Sequence, residues 1–232
     1  METCFKMSKM RQTIVRSLKE AQNTNALLTT FNEIYMGDYI DMRKEVQDAF
    51  VAKYGVNLGF MSAFLKASFA DLKEQPVVNA VIEGTNIVYR DLIDISTAIS
   101  TPTGLVVPVL RNVQDFGFTD LKRGLGELAL KARDGNITLE DLADGNFTIT
   151  NGGVFGSMTG TPIVNMPQRA ILGMHATNVR PVVKGGQILA QPFMYVALTH
   201  DHHIIDGREA ALFLCKDMDC VEDPTKHLLF DF

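Results

Sequence analysis

Three of the five histidines in this chain lie within a stretch of four residues near its C-terminal end. His200, His202 and His203 follow the apolar run 193–198, which is typical of a buried strand. Asp206 and the glycine after it have the composition of a turn. Imidazole is the side chain best suited to move protons near neutral pH. The pattern therefore predicts His202 as a general base held at a turn, with the Asp206 carboxylate fixing the local geometry.

The same cluster allows two other interpretations. In the first, these side chains are solvated turn residues without a chemical role. In the second, they bind a metal ion, because imidazole and carboxylate groups are common ligands. On a strand, His200 and His202 would point to one face and His203 to the other, which supplies two ligands. The candidate ligands are His200, Asp201, His202 and His203, with His175 and His227 not placed by spacing.

A second candidate segment spans residues 148–157, where an apolar strand runs into a glycine-rich turn that carries hydroxyl groups. Such a turn lets backbone and hydroxyl donors approach a ligand closely. The spacing does not match a dinucleotide-binding or phosphate-binding loop, and the chain has no Gly-x-Ser-x-Gly nucleophile motif. On the residues alone, a simple structural turn remains the other interpretation.

The elements that must position these segments alternate between strands and helices. Residues 83–86 predict a hairpin turn, and Thr119 is a candidate helix N-cap. Residues 101–104 predict a turn that leads into an apolar strand, and Pro108 predicts that this strand lies at a sheet edge or contains a bulge. Helices are predicted over 10–23, 39–54, 60–73, 119–133 and 208–220, and strands over 27–36, 77–83, 86–90, 93–100, 105–109, 147–151, 170–174 and 191–199.

The composition indicates a folded globular protein. The chain has 232 residues, of which 46% are hydrophobic and 21% charged, and its net charge is −5. Together with the mix of predicted strands and helices, this length indicates a single α/β domain with its sheet covered on one face. The acidic balance argues against a nucleic-acid partner, and no apolar run is long enough for a membrane span. Three cysteines without ligand-like spacing predict free thiols from a reducing compartment.

Taken together, the segments resemble one known family. The residues that carry the resemblance are His202, Asp206 and Gly207 with their neighbours Asp201, Arg208 and Glu209, and the segments 104–109, 150–156, 170–175 and the start of the chain from Met10. They resemble the catalytic domain of the dihydrolipoamide acyltransferases, the E2 cores of 2-oxo acid dehydrogenase complexes. Segments 28–34, 59–64 and 75–80 most resemble the succinyltransferases of 2-oxoglutarate dehydrogenase complexes.

This resemblance implies an α/β, chloramphenicol-acetyltransferase-like two-layer sandwich with a mixed sheet covered by helices. It also implies a homotrimer with active sites at subunit interfaces, assembled into a cubic core that works with E1 and E3 enzymes. We expect an N-terminal extension over 1–10 and a catalytic domain over 11–232, without the lipoyl and peripheral subunit-binding domains. The expected compartment is the mitochondrial matrix, with a bacterial cytoplasm as the alternative.

The resemblance further implies transfer of a succinyl group between dihydrolipoamide and coenzyme A, without a metal ion. His202 would remove the proton from the attacking thiol, which is a poor nucleophile while protonated. Thr150 stands where the family has a hydroxyl that stabilises the oxyanion. Asp206 would hold the His202 loop through an arginine, for which Arg11 is the candidate.

Several positions depart from the family pattern. His200 and His203 stand where tyrosine and arginine are usual, Met166 replaces a proline, and Thr13 and Ser17 replace arginines of the first helix. These changes leave three alternatives to a succinyltransferase. They are a structural cage core with impaired catalysis, an acyltransferase of different acyl preference, and a metal-dependent hydrolase.

Overall fold

The computed structural model describes residues 1–102 and 104–227, with the side chains of residues 226 and 227 excepted. Thr103, within the predicted 101–104 turn, and the side chain of His227, a candidate ligand, therefore lie outside the described residues. The helices in the described part are α1 (Lys9–Thr24), α2 (Gly37–Tyr54), α3 (Phe60–Glu74), α4 (Phe118–Arg133), α5 (Leu139–Leu142), α6 (Gly207–Glu222) and α7 (Pro224–His227). None of these helices is long and apolar enough to cross a bilayer.

The strands form one mixed sheet of six and two small hairpins. In the large sheet the order is β1-β10-β9-β8-β4-β7, with β8 parallel to both β9 and β4 and the other pairs antiparallel. The strands are β1 (Leu27–Tyr35), β2 (Val81–Glu83), β3 (Asn86–Val88), β4 (Ile95–Thr97), β5 (Ile99–Thr101), β6 (Gly104–Val106), β7 (Val109–Leu110), β8 (Phe147–Asn151), β9 (Ala170–Lys184) and β10 (Gln187–Asp201).

The hydrophobic core lies between this sheet and a layer of helices. α3 is buried around most of its circumference, and Phe64 and Leu65 are fully buried. A helix that is buried on nearly all sides belongs inside a layer rather than at a surface. Phe213 of α6 packs against Phe147 of β8 with ring centroids 5.5 Å apart, which joins the two layers. The result is the two-layer α/β sandwich predicted from the sequence.

The longest strands extend well beyond the predicted segments 170–174 and 191–199. β9 and β10, of 15 residues each, form a hairpin in which Lys184 pairs with Gln187. Gly185 and Gly186 form its two-residue turn, and both have positive φ angles, +59° and +78°, which glycine adopts without strain. The distal part of the hairpin is exposed and mixes apolar and polar residues without a regular alternation, so local periodicity did not show it.

Three other predictions were wrong in detail. The segment 77–83 begins as a 3-10 turn, because the buried Asn79 side chain donates to the backbone carbonyls of Arg90 and Leu92. The segment 93–100 is divided between β4 of the large sheet and β5 of a hairpin. Helix α4 begins after Gly117, so Thr119 lies inside its first turn and is not the N-cap.

The predicted hairpin turn at 83–86 and the predicted strand edge at Pro108 are both confirmed. Glu83 pairs with Asn86 across the tight turn between β2 and β3. Pro108 interrupts the segment 105–109, and the short strand after it, β7, lies at the edge of the large sheet. A proline lacks the backbone N–H that an interior strand needs, so the edge is where it is tolerated. Its carbonyl still accepts a hydrogen bond from the Thr97 N–H at 2.9 Å.

Candidate active site

The histidine cluster lies where β10 ends and the chain turns into α6. His200 is still within the sheet, opposite Leu28 of β1 and Ala170 of β9. The strand ends at Asp201, and His202 lies in the turn that follows, held by a hydrogen bond from its N–H to the Ala26 carbonyl at 2.9 Å. The predicted turn is confirmed, but strand alternation does not extend to His202. The His200 and His202 rings are nearly perpendicular, with centroids 6.1 Å apart.

The His202 ring is oriented by its own backbone turn. Its Nδ1 lies 3.0 Å from the Ile205 carbonyl oxygen, and a carbonyl can only accept a hydrogen bond. In the neutral ring, Nδ1 therefore carries the proton and Nε2 carries the free lone pair. The side chain is 46% exposed, so a substrate can reach Nε2. This is the tautomer that a general base requires.

Asp206 lies beside this ring but forms no hydrogen bond with it. Its Oδ1 is 3.7 Å from His202 Nδ1, which is too long for a hydrogen bond but close enough to stabilise the protonated ring. Among the described residues, no ion pair joins Asp206 to Arg11. Arg11 lies in the first turn of α1, a helix in which only Ala21 is buried. The Arg11 backbone N–H donates to the Ser8 side chain at the start of that helix. The expected Arg11–Asp206 contact is therefore not made within one copy.

The buried His200 is kept neutral. Its Nδ1 is 3.3 Å from the Leu198 carbonyl, and burial lowers its pKa below the usual value. A neutral ring places no positive charge next to His202. In the parts of the chain that the structure describes, no group of three or more His, Cys, Asp or Glu side chains is arranged to hold a metal ion.

A buried ion pair beneath the turn was not predicted. Arg169 Nη1 donates to Asp201 Oδ2 at 2.8 Å, and both side chains are almost completely buried. Arg169 also donates to Asn25, at the end of α1. These residues are far apart in sequence, so their spacing carried no signal. The one available clue was Asp201 itself, a carboxylate directly after a long apolar strand.

Thr150 lies near the end of β8, where the glycine-rich turn begins. Gly153 packs against the backbone of His175, and a Cβ added there would lie 2.3 Å from the His175 carbonyl carbon. Only glycine permits this approach. The turn is thereby held against β9, and Thr150 and His175 line one cavity of about 240 Å³ together with Ser157.

His175, which spacing alone could not place, is thus part of the Thr150 side of the site. It is 5% exposed, and its Nδ1 lies 2.9 Å from the Tyr195 carbonyl. The Nδ1 proton is therefore used by the backbone, and Nε2 is the nitrogen available to the cavity. On its other side, Thr150 borders a cleft of about 530 Å³ that is lined largely by apolar groups and includes Lys122.

Thr150 and His202 do not meet within one copy of the chain. Thr150 is level with Gly173, which is level with Ala197 of β10. β10 runs four residues beyond Ala197 to Asp201. Those residues span about 13 Å, and two strand spacings add about 10 Å sideways. A hydroxyl and a base that act on the same thioester must both lie within about 3 Å of it. One copy therefore holds two separate candidate half-sites, one at Thr150 and one at His202.

Comparison with known proteins gives relatives that cover nearly the whole chain. Residues 1–229 match the family model of the 2-oxoacid dehydrogenases acyltransferase catalytic domain. The mitochondrial succinyltransferase component of the 2-oxoglutarate dehydrogenase complex of Sus scrofa is 58% identical over 97% of this chain. The corresponding Escherichia coli (strain K12) component is 51% identical over 96%. The chain spans about half the length of these relatives, 50% and 55% respectively.

Solved structures agree on the fold. The cubic core of the pyruvate dehydrogenase multienzyme complex superposes with a TM-score of 0.92 at 30% identity, covering 99% of this chain and 95% of that one. Chloramphenicol acetyltransferase superposes with a TM-score of 0.56 at 18% identity, covering 88% and 94%, which is a likeness of fold alone. The predicted chloramphenicol-acetyltransferase-like fold is confirmed.

Proposed function

The chain belongs to the 2-oxoacid dehydrogenase acyltransferase family, and from this membership we propose that it transfers a succinyl group between dihydrolipoamide and coenzyme A. The acyl group follows from the 58% and 51% identity to succinyltransferase components. A free thiol with a pKa of about 8.5 is mostly protonated at neutral pH and needs a base to attack a thioester. The observation that carries the proposal is His202, whose exposed Nε2 is the unprotonated nitrogen.

The proposed reaction needs two groups of this chain. His202 Nε2 takes the proton of the coenzyme A thiol as its sulfur attacks the carbonyl carbon of the succinyl thioester. The Thr150 hydroxyl donates to the oxygen that becomes negative in the tetrahedral intermediate. When the intermediate collapses, the carbon–sulfur bond to the lipoyl group breaks, and the departing sulfur takes the proton back from His202. Asp206, 3.7 Å from the ring, stabilises the imidazolium between these steps.

A complete site then requires two copies of the chain. The half-sites of Thr150 and His202 fit a head-to-tail homotrimer in which each interface takes one residue from each copy. Apolar side chains exposed on α1 and on the β9–β10 hairpin, such as Val15, Leu18, Val183 and Ile188, are suitable for burial in such contacts. The likeness to a cubic core supports further assembly of the trimers.

The substrates and partners follow from the same proposal. Coenzyme A and a lipoyl group serve as substrates, and no metal ion is needed for either step. The polar groups around Thr150, including His175 and Ser157, suit an acyl group that ends in a carboxylate. In a 2-oxoglutarate dehydrogenase complex, the partners would be E1 and E3 enzymes. We propose the mitochondrial matrix as the compartment, although the relatives include both mitochondrial and bacterial proteins.

The test is succinyl transfer from succinyl-coenzyme A to free dihydrolipoamide, comparing the chain with His202→Ala. We expect the substitution to lower kcat by about 10²-fold or more, because the general base is lost. Equal rates would contradict the proposal and favour a structural core without its chemistry. A competition between succinyl-coenzyme A and acetyl-coenzyme A then measures acyl preference, and preference for acetyl would overturn the choice of succinyl.

A further inference from the structure

The buried ion pair of Arg169 and Asp201 lies directly beneath the turn that carries His202. Arg169 is 5% exposed and Asp201 is fully buried, and the Asp201 N–H also donates to the Arg169 carbonyl at 2.8 Å. Of the ion pairs among the described residues, this is the one in which both side chains are less than a tenth exposed. A buried pair gains little net stability, because both charges lose their hydration. Its presence therefore calls for another role.

The Asp201 carboxylate connects three elements around the base. Its Oδ1 accepts hydrogen bonds from the Ala26 N–H at 3.0 Å and from the His203 N–H at 3.2 Å. The Nδ1 atom of the His203 ring also lies 2.9 Å from the same Oδ1. The residues on both sides of His202 are thus fixed by one carboxylate, while Ala26 holds the His202 N–H with its own carbonyl.

Arg169 fixes the carboxylate in turn. Its guanidinium donates to Asp201 Oδ2 and, on the same nitrogen, to Asn25 next to Ala26. Position 203, where the family resemblance predicts an arginine, holds a histidine in this chain. In this chain the guanidinium beside the turn belongs to Arg169, which directly precedes Ala170, the first residue of β9 and the partner of His200.

From these contacts we propose that Arg169 and Asp201 are positioning residues that hold His202 in its catalytic orientation. The inference rests on the proposed acyl transfer, in which Nε2 must point at the thiol. Misplacement of a reacting group by about 1 Å can cost about 10²-fold in rate. The pair acts by fixing the backbone on both sides of His202, so that Nδ1 stays on the Ile205 carbonyl.

The first test compares Arg169→Lys with Arg111→Lys. Arg111 pairs with Asp94 at 3.1 Å next to β7, at the opposite edge of the sheet, so it is a matched arginine–aspartate pair away from His202. A lysine keeps the charge, but its shorter side chain and tetrahedral ammonium group cannot place a donor where the planar guanidinium places Nη1 between Asp201 and Asn25. We expect Arg169→Lys to lower kcat for succinyl transfer by about 10- to 100-fold with an unchanged KM for coenzyme A. We expect Arg111→Lys to affect thermal stability alone.

A second test separates positioning from stability. The variant Arg169→Met with Asp201→Leu removes both charges and fills the space with apolar groups, which is often neutral for stability. If the pair serves stability alone, this double variant has the Tm and the kcat of the wild type. If the pair positions His202, the double variant has a Tm close to that of the wild type, but its kcat is as low as that of Arg169→Lys. Should the double variant fail to fold, Arg169→Lys still decides, and a kcat that falls no further than that of Arg111→Lys overturns the proposal.

A third readout does not depend on catalysis. Iodoacetamide alkylates an unprotonated imidazole nitrogen, and peptide mass spectrometry locates the adduct on His202. Because the two ring adducts have the same mass, the isolated peptide is then hydrolysed, and chromatography against the two carboxymethylhistidine isomers identifies the alkylated nitrogen. We expect the wild-type ring to react at Nε2, because Nδ1 is engaged by Ile205, and the Arg169→Lys ring to react at both nitrogens. An unchanged pattern would overturn the positioning role. If the wild type shows no succinyl transfer, the proposed function fails, while this pattern still decides whether the pair positions the ring.

Discussion

At His202, a backbone carbonyl selects which ring nitrogen can act. The Ile205 carbonyl accepts the Nδ1 proton at 3.0 Å, so Nε2 is the nitrogen left free for the proposed base, and no carboxylate is in hydrogen-bond contact with the ring. Asp206 at 3.7 Å contributes through its charge. The tautomer therefore depends on the shape of the turn, and anything that deforms the turn is expected to change the chemistry before it changes the fold.

The Thr150 hydroxyl is predicted to act on the oxyanion alone. Thr150→Val keeps the shape and removes the donor, and we expect it to lower kcat by about 10²- to 10³-fold. Thr150→Ser keeps the donor and is the matched control, for which kcat should remain within about 10-fold of wild type. Steady-state kinetics of succinyl transfer with both variants measure the difference. If Val and Ser have the same effect, the hydroxyl has no role in the reaction.

At the scale of elements, α3 and α6 meet through two buried carboxyl groups. Asp71 and Asp217 are both fully buried, and their side chains interact with each other. Burial raises the pKa of Asp217 to about 7, and burial together with the charge of Asp217 raises the pKa of Asp71 well above its usual value. Two like charges cannot both be held there, so the folded state keeps a proton between them.

This pair predicts a stability that falls as pH rises. An unfolded aspartate loses its proton near pH 4, whereas folded Asp217 keeps it until about pH 7. Between those values the unfolded chain binds fewer protons than the folded one, so each pH unit costs about 1.4 kcal/mol for each retained proton. Below pH 4 both states are protonated and the penalty is absent. Urea unfolding from pH 4 to pH 8 measures the slope.

The matched variants for this prediction are Asp217→Asn and Asp219→Asn on the same helix. Asparagine at 217 stays neutral and can donate to Asp71, so we expect a flatter pH dependence and a higher free energy of unfolding at pH 8. Asp219 is exposed, and its substitution removes the same charge without changing the buried pair. If both variants show the wild-type slope, the α3–α6 carboxyl pair does not retain a proton.

At the scale of the whole molecule, the separation of the two candidate half-sites predicts that catalysis requires an oligomer. Thr150 lies at the level of Ala197, whereas His202 lies beyond the end of β10. Under the proposed function, we expect a single copy to be unable to place the base and the hydroxyl on one thioester. Catalysis and assembly are therefore expected to be lost together when subunits are separated.

Mixing two inactive variants tests this directly. His202→Ala and Thr150→Val subunits, refolded together in equal amounts, form some interfaces in which the histidine comes from one copy and the threonine from the other. In a head-to-tail ring about a quarter of all sites are then intact, so we expect about a quarter of the wild-type activity. Mixing each variant with itself is the control. No recovery in a mixed oligomer verified by native mass spectrometry would place both groups in one copy.

The sequence by itself determined the α/β class, most helices and the positions of His202, Thr150 and Asp206, because periodicity and turn chemistry are local properties. The resemblance of ordered motifs also predicted the fold, which the comparisons confirmed. Tertiary structure decided what joins residues distant in the chain. It brought Arg169 to Asp201, Asp71 to Asp217 and His175 to Thr150, and among the described residues it formed no ion pair between Arg11 and Asp206. Such contacts depend on strand register and helix packing, which no local pattern encodes.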